Sequence, residues 1–369
     1  MIKNDSRILC LDLKLQHSRI KDEILEAFEK VYDQAAFSGG PFVEEFERNF
    51  ANFCHASYTV AVNNGTSALH LALLVLGIGP GDEVIVPANT FIATAWGVSY
   101  CGAKPVFVDC TSDTWEIDVL KIEEKITGNT KAIIGVHLYG QAFDVDAVKQ
   151  ICGKHHLFLL EDAAQAHGST YKGIPVGNFG EMACFSFYPG KNLGACGEAG
   201  GITTSNEAYY KHLLSLRNHG TIVRYYHNEV GYNMRMGGLE AASLGIKLKY
   251  LNEWNNSRNQ IANRYQKEIV NPEITMQFQP NWSGSIYHLF VVTVSDRERF
   301  IKYLNEQNIY PGLHYPVPCH LQKAYENLEY KPGDFPNAEY LASHCVSLPM
   351  YAELTDSQVS YVIDCLNRY

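Results

Sequence analysis

The chain has no apolar run long enough to cross a bilayer. Its longest, ALHLALLVLGIG, is short and broken. The opening stretch MIKNDSRILCLDLKLQHS has no apolar core of signal-peptide length, so a cytoplasmic protein is expected. Its ten cysteines form no Cys-x-x-Cys pair. That argues against both a disulfide framework and a structural zinc site, and reduced, mostly buried thiols are expected. No Gly-x-Ser-x-Gly is present, so the nucleophile elbow of an α/β hydrolase is not supported. Positive charge is also lacking. The formal net charge of −10 argues against broad nucleic-acid or membrane binding, and an anionic ligand would need a local positive pocket.

What is present is a chain of 369 residues, 46% apolar and 19% charged, which reads as globular with more than one domain. The runs DEVIVPANT, KPVFVDC, TKAIIGVHLYG, HHLFLLEDAAQA, ACFSFYP and GGITTS look like strands buried on both faces. Helical patterns such as DVDAVKQICGKHH lie between most of them. This alternation predicts a largely parallel sheet covered by helices, with chemistry at the carboxyl ends of its strands. Ile20, Ile24, Phe28 and Val31 have helical spacing, and Ser38 with Pro41 signals another helix start. After the amphipathic stretch LKYLNEWNNSRNQIANRYQKEIV the pattern changes, and Thr355 with Gln358 forms a capping box before the last helix. The expected division is an N-terminal segment 1–34, a large domain 35–250 and a smaller α+β domain 251–369.

Four features sit where such a sheet places ligands. Gly65, Thr66 and Ser67 directly precede an apolar helix, whose N-terminus could take a phosphate or simply be capped. No Walker lysine follows, so a nucleotide P-loop is not supported. Asp162 and Gln165 follow four apolar residues. An acid there could bind a cation, pair with a protonated ring nitrogen, or be a solvated strand end; alternation points Glu161 the other way. Lys191, in CFSFYPGKNLGACGEAGG, lies between an apolar run containing Ser186 and a glycine-rich one. A desolvated lysine has a lowered pKa and can form a Schiff base. Phe91 follows another strand end and could stack on a planar ligand or belong to the core. A phosphate cradle, a strand-end acid, an aromatic and an activated lysine together suit pyridoxal 5′-phosphate.

The motifs SGGPFVEEFE, NNGTSALHLAL, GDEVIVPANTFIAT, GAKPVFVD, EDAAQAHGS, SFYPGKNLGACGEAGG, LRNHG, GYNMRM and GLHYPVPCH occur in one order along nearly the whole chain. In that order and spacing the chain resembles the DegT/DnrJ/EryC1/StrS family of nucleotide-sugar aminotransferases. The resemblance implies the fold type I, aspartate aminotransferase-like architecture, with a mostly parallel seven-stranded sheet. It also implies roles. Lys191 would anchor the cofactor and shuttle the proton, and Asp162 would pair with the pyridine nitrogen. Gln165 would lie near the 3-oxygen, Phe91 would stack on the ring, and Gly65, Thr66 and Ser186 would hold the phosphate. Asn233 would reach the phosphate of the neighbouring subunit's cofactor across a homodimer. Tyr188, His314, Tyr315 and His320 would face the substrate. A metal site lacks a third ligand, whereas structural histidines are a real alternative for the last group. Arg224 could meet a diphosphate or be a surface residue.

The implied reaction is transamination from L-glutamate to a dTDP-linked 3-keto-6-deoxyhexose. Relatives acting at C4 more often carry histidine at the position of Tyr188, and action at the 4-keto position is the alternative. A non-catalytic relative would be favoured by loss of the lysine or the aspartate, and a sugar dehydratase by histidine for the lysine; both residues are intact. MRMGGLEAA departs from the family pattern at Met236, Gly237 and Glu240, which affects the local helix start and the dimer contact, and Glu198 stands for the usual aspartate.

Overall fold

The computed structural model describes residues 7–369. The first six residues of the 1–34 segment therefore lie outside the described residues. A seven-stranded sheet runs in the order Tyr58–Val62, Gly200–Thr204, Met182–Ser186, Phe158–Asp162, Thr130–Val136, Glu83–Pro87, Lys104–Val108. Only Gly200–Thr204 is antiparallel to its neighbours. Six of these strands are the apolar runs read above. The seventh, the edge strand Tyr58–Val62, is an addition: its run YTVAV leads within three residues into the helix Gly65–Val75.

Side-chain alternation divides each strand between two hydrophobic clusters. Val84, Val86, Ile134 and Leu160 face one, packed under the helix Gly65–Val75. Ile85, Ile133, Leu159 and Phe185 face the other, under the helix Pro41–Phe53. Neither face is left to water, which is why the strands read as unbroken apolar runs.

The helix expected around Ile20–Val31 spans Leu13–Asp33 and is capped by Asp12, whose side chain accepts from the Lys14 N–H at 2.9 Å. Ser38 is not a helix cap. Pro41 opens that helix after Gly40, which holds φ +82°, while Ser38 bridges to Gly237. The glycine takes the left-handed turn that a side chain would strain. Gly237 also precedes the helix Gly238–Leu248 without a side-chain cap, at the point where the sequence departs from the family pattern.

Residues beyond Leu251 build a separate three-stranded antiparallel sheet, Ile274–Met276, Phe290–Val294 and Cys345–Leu348, with its own core. The helix Leu251–Glu268 leads into it, and Asp356–Arg368 closes it with the expected capping box. Ile8–Leu9 pairs with Ile309–Tyr310 and joins this core, whereas the helix that follows packs on Gly238–Leu248. We propose the boundary between the two bodies at 250/251, between consecutive helices. Among the described residues no helix is long and apolar enough to cross a membrane.

Candidate active site

A cavity of about 950 Å³ opens at the carboxyl ends of the parallel strands, and residues from both bodies line it. Asp162, the last residue of its strand, is buried there. Its Oδ2 accepts from Thr94 Oγ1 at 2.7 Å and its Oδ1 from the Ala164 N–H at 3.1 Å. Burial pushes the carboxyl pKa up, against these two donors and the nearby Lys191. Glu161 faces the opposite side, as alternation requires. It lies 3.0 Å from His137 Nε2 and accepts from the N–H groups of Gly177, Phe179 and Gly180. Burial raises its pKa, but His137 and the amides outweigh that and hold it below the usual carboxylate value.

Lys191 projects from a loop closed by the Ala195 N–H donating to Phe187 O at 2.8 Å; its own N–H donates to Tyr188 O at 2.8 Å. Burial lowers its ammonium pKa to about 8, with Asp162 opposing. The lysine is thus far easier to deprotonate than one on a surface.

The helix Gly65–Val75 points its N-terminus into the same cavity. Its cap is Asn64, whose Oδ1 accepts from the Ser67 N–H at 2.8 Å. Among the described residues neither the Gly65 nor the Thr66 N–H has an acceptor. A Cβ on Gly65 would stand 2.8 Å from Ser186 Cβ, so only glycine lets the helix start come this close to the strand end.

Gln165 is fixed on both sides: its Oε1 accepts from the Tyr139 N–H at 2.7 Å and its Nε2 donates to Tyr315 Oη at 3.0 Å. Tyr315 also lies 5.3 Å from the ring of Phe91. Phe91 is 49% exposed and lines the cavity, so it is not a core phenylalanine. Tyr188 is likewise exposed on the lining. His314 lines it too, its Nδ1 2.8 Å from Ser347 Oγ; burial and Lys191 lower its pKa to about 4.

Three residues singled out in the sequence are not brought into the cavity. His320 is buried elsewhere, 3.1 Å from Glu339 and against Phe335, which is the structural-histidine alternative. Asn233 is exposed and accepts from Arg235 Nη2 at 2.8 Å. Arg224 lies exposed over Tyr225. Among the described residues no metal-binding cluster occurs.

Thr94 and His288 are the residues that sequence reasoning missed. Thr94 follows Thr90 at helical spacing, and their hydroxyls lie 2.9 Å apart. His288 sits just before a strand in SIYHLF, lines the cavity, and places Nδ1 3.0 Å from Asn192 Oδ1.

Known proteins resemble the chain over nearly its whole length. A model of the DegT/DnrJ/EryC1/StrS aminotransferase family matches residues 18–367. The chain is 45% identical to a dTDP-3-amino-3,6-dideoxy-alpha-D-galactopyranose transaminase of Aneurinibacillus thermoaerophilus, over 97% of this chain and 98% of that one. It superposes with a TM-score of 0.96 on DesV of S. venezuelae, solved in complex with a ketimine intermediate; the two are 40% identical, with 98% of each chain covered. NtdA of Bacillus subtilis with bound cofactor PMP gives a TM-score of 0.87 at 33% identity, covering 94% of this chain and 81% of that one.

Proposed function

Because the chain belongs to the DegT/DnrJ/EryC1/StrS aminotransferase family, whose cofactor is pyridoxal 5′-phosphate, we propose that it transfers an amino group from L-glutamate to C3 of a dTDP-linked 3-keto-6-deoxyhexose. The product is a 3-amino-3,6-dideoxyhexose. The observation that carries this reading is one cavity holding both Lys191, with its lowered pKa, and Asp162 at a strand end. The residues fit the cofactor. Two acceptorless amides at a helix start suit its phosphate, and a buried acid suits its ring nitrogen.

When bound, the cofactor supplies an electron sink for negative charge at the donor's Cα. Lys191 Nζ would anchor the cofactor covalently and, once displaced from it by the donor's amine, would be the base that moves the proton at the donor's Cα. Asp162, held by Thr94 and Ala164, keeps a proton on the ring nitrogen. Gln165 meets the 3-oxygen, oriented by Tyr139 and Tyr315. Phe91 stacks on the ring. Gly65, Thr66 and Ser186 hold the phosphate, and Asn233 of a second copy completes that site in a homodimer. Tyr188, His314 and Tyr315 face the sugar. The 3-keto assignment is supported by Tyr188 and by the 3-amino sugar in the name of the Aneurinibacillus relative.

The test is an absorbance spectrum of the purified protein before and after L-glutamate, beside Lys191→Ala. A near-visible band that glutamate shifts to shorter wavelength, with no covalent attachment in the variant, is expected. Candidate dTDP-keto-sugars should then restore the band. Failure to take up pyridoxal phosphate at all would overturn the reading.

A further inference from the structure

Lys247 is a fully buried charged side chain to which the reaction above gives no task. It lies on the helix Gly238–Leu248 and makes no ion pair among the described residues. Its Nζ donates to Gly194 O at 2.7 Å and stands 2.9 Å from His17 Nε2 on the N-terminal helix. Burial lowers the Lys247 pKa, and burial together with Lys247 lowers that of His17, so the imidazole is held as a neutral acceptor. An ammonium without a carboxylate is costly to bury, and a leucine or methionine would fill the same space at lower cost.

Gly194 belongs to the loop Phe187–Ala195 that carries Lys191. That loop folds tightly on itself: a Cβ on Gly194 would lie 2.3 Å from Pro189 O. It is pinned on its other side through Asn192, whose Nδ2 donates to Asn255 Oδ1 at 2.9 Å and to Ile286 O at 3.3 Å. Lys247 thus supplies the second fixed point, three residues beyond Lys191.

We propose that Lys247 is a positioning residue: its ammonium clamps the Gly194 carbonyl, holds the Lys191 loop in place, and ties that loop through His17 to the N-terminal helix. The clamp's importance for catalysis rests on the assignment of Lys191 above.

The test is Lys247→Met, which keeps the length and removes the donors. Hydrogen–deuterium exchange of the cofactor-free protein reads the clamp directly. Residues 188–195 should exchange about tenfold faster in the variant, with Phe290–Val294 unchanged. Equal acceleration at both places would mean general destabilisation and would overturn the proposal, as would no change at either. The second readout is borohydride trapping of pyridoxal phosphate on Lys191 followed by mass spectrometry, with trapping expected to be about tenfold slower in the variant. If the wild type itself traps nothing, the assignment of Lys191 fails while the exchange result still decides the clamp. Should Lys247→Met not fold, His17→Leu removes only the acceptor. Its loop exchange should rise about threefold, and unchanged exchange would overturn the proposal.

Discussion

Glu161 and Asp162 are consecutive residues of one strand, and their carboxylates serve opposite faces of the sheet. Glu161 is sealed among His137 and three backbone amides, whereas Asp162 opens onto the cavity beside Thr94. Two acids of similar chemistry are therefore expected to respond to mutation in opposite ways.

Glu161→Gln should cost about 3 kcal/mol of stability, because buried donors lose their charged acceptor. Asp162→Asn should leave stability within about 1 kcal/mol but lower kcat by about a hundredfold or more. Urea denaturation beside steady-state kinetics separates the two. A stable Glu161→Gln protein would show that the sealed acid does not hold the fold.

Lys191 makes a kinetic prediction with a definite sign. Only the neutral amine attacks an aldehyde, and its pKa is lowered to about 8. Attachment of pyridoxal phosphate to the cofactor-free protein should rise about tenfold per pH unit below that value and level off above it. Asp162 pulls the lysine pKa upward, so Asp162→Asn should move the midpoint to lower pH. Stopped-flow absorbance measures both profiles; a midpoint near 10 would contradict the burial of the amine.

The histidines near Lys191 should make the cofactor-free protein acid-sensitive. Burial, then Lys191, lowers His167 to about 3 and His314 to about 4. Both lie below the unfolded value, so the unfolded chain binds more protons between roughly pH 6.5 and 4. Stability is present above that window and declines as pH falls through it, by up to about 1.4 kcal/mol per pH unit for each group. His314→Gln should flatten the decline, as denaturation midpoints between pH 7 and 4.5 would reveal; an unchanged slope would remove His314 from the account.

The parallel strands were legible because both of their faces are covered, which writes each as a continuous apolar run. The edge strand Tyr58–Val62 was less visible because its run is short and merges with the following helix signal. Lys191, Asp162, Gln165 and Phe91 could be found because each lies at or shortly after a strand's carboxyl end. Thr94 could not, because nothing local says that a helix residue will meet Asp162 across 68 positions of chain. His320 misled for the converse reason: it shares a motif with His314 and Tyr315, yet the short helical turn Cys319–Leu321 carries it into a packed pocket. Lys247 was not singled out in the sequence, because only tertiary packing seals it.

Gln165 touches Tyr315 across 150 residues, and Tyr139 Oη donates to the His314 carbonyl across 175. The cleft is consequently among the last parts of the molecule to be completed during synthesis. A ribosome that has released Lys191 has exposed the anchor but not the wall facing it, and that wall arrives more than a hundred residues later. Cofactor capture would then report a finished chain, and truncated products would remain colourless even when their parallel sheet has formed.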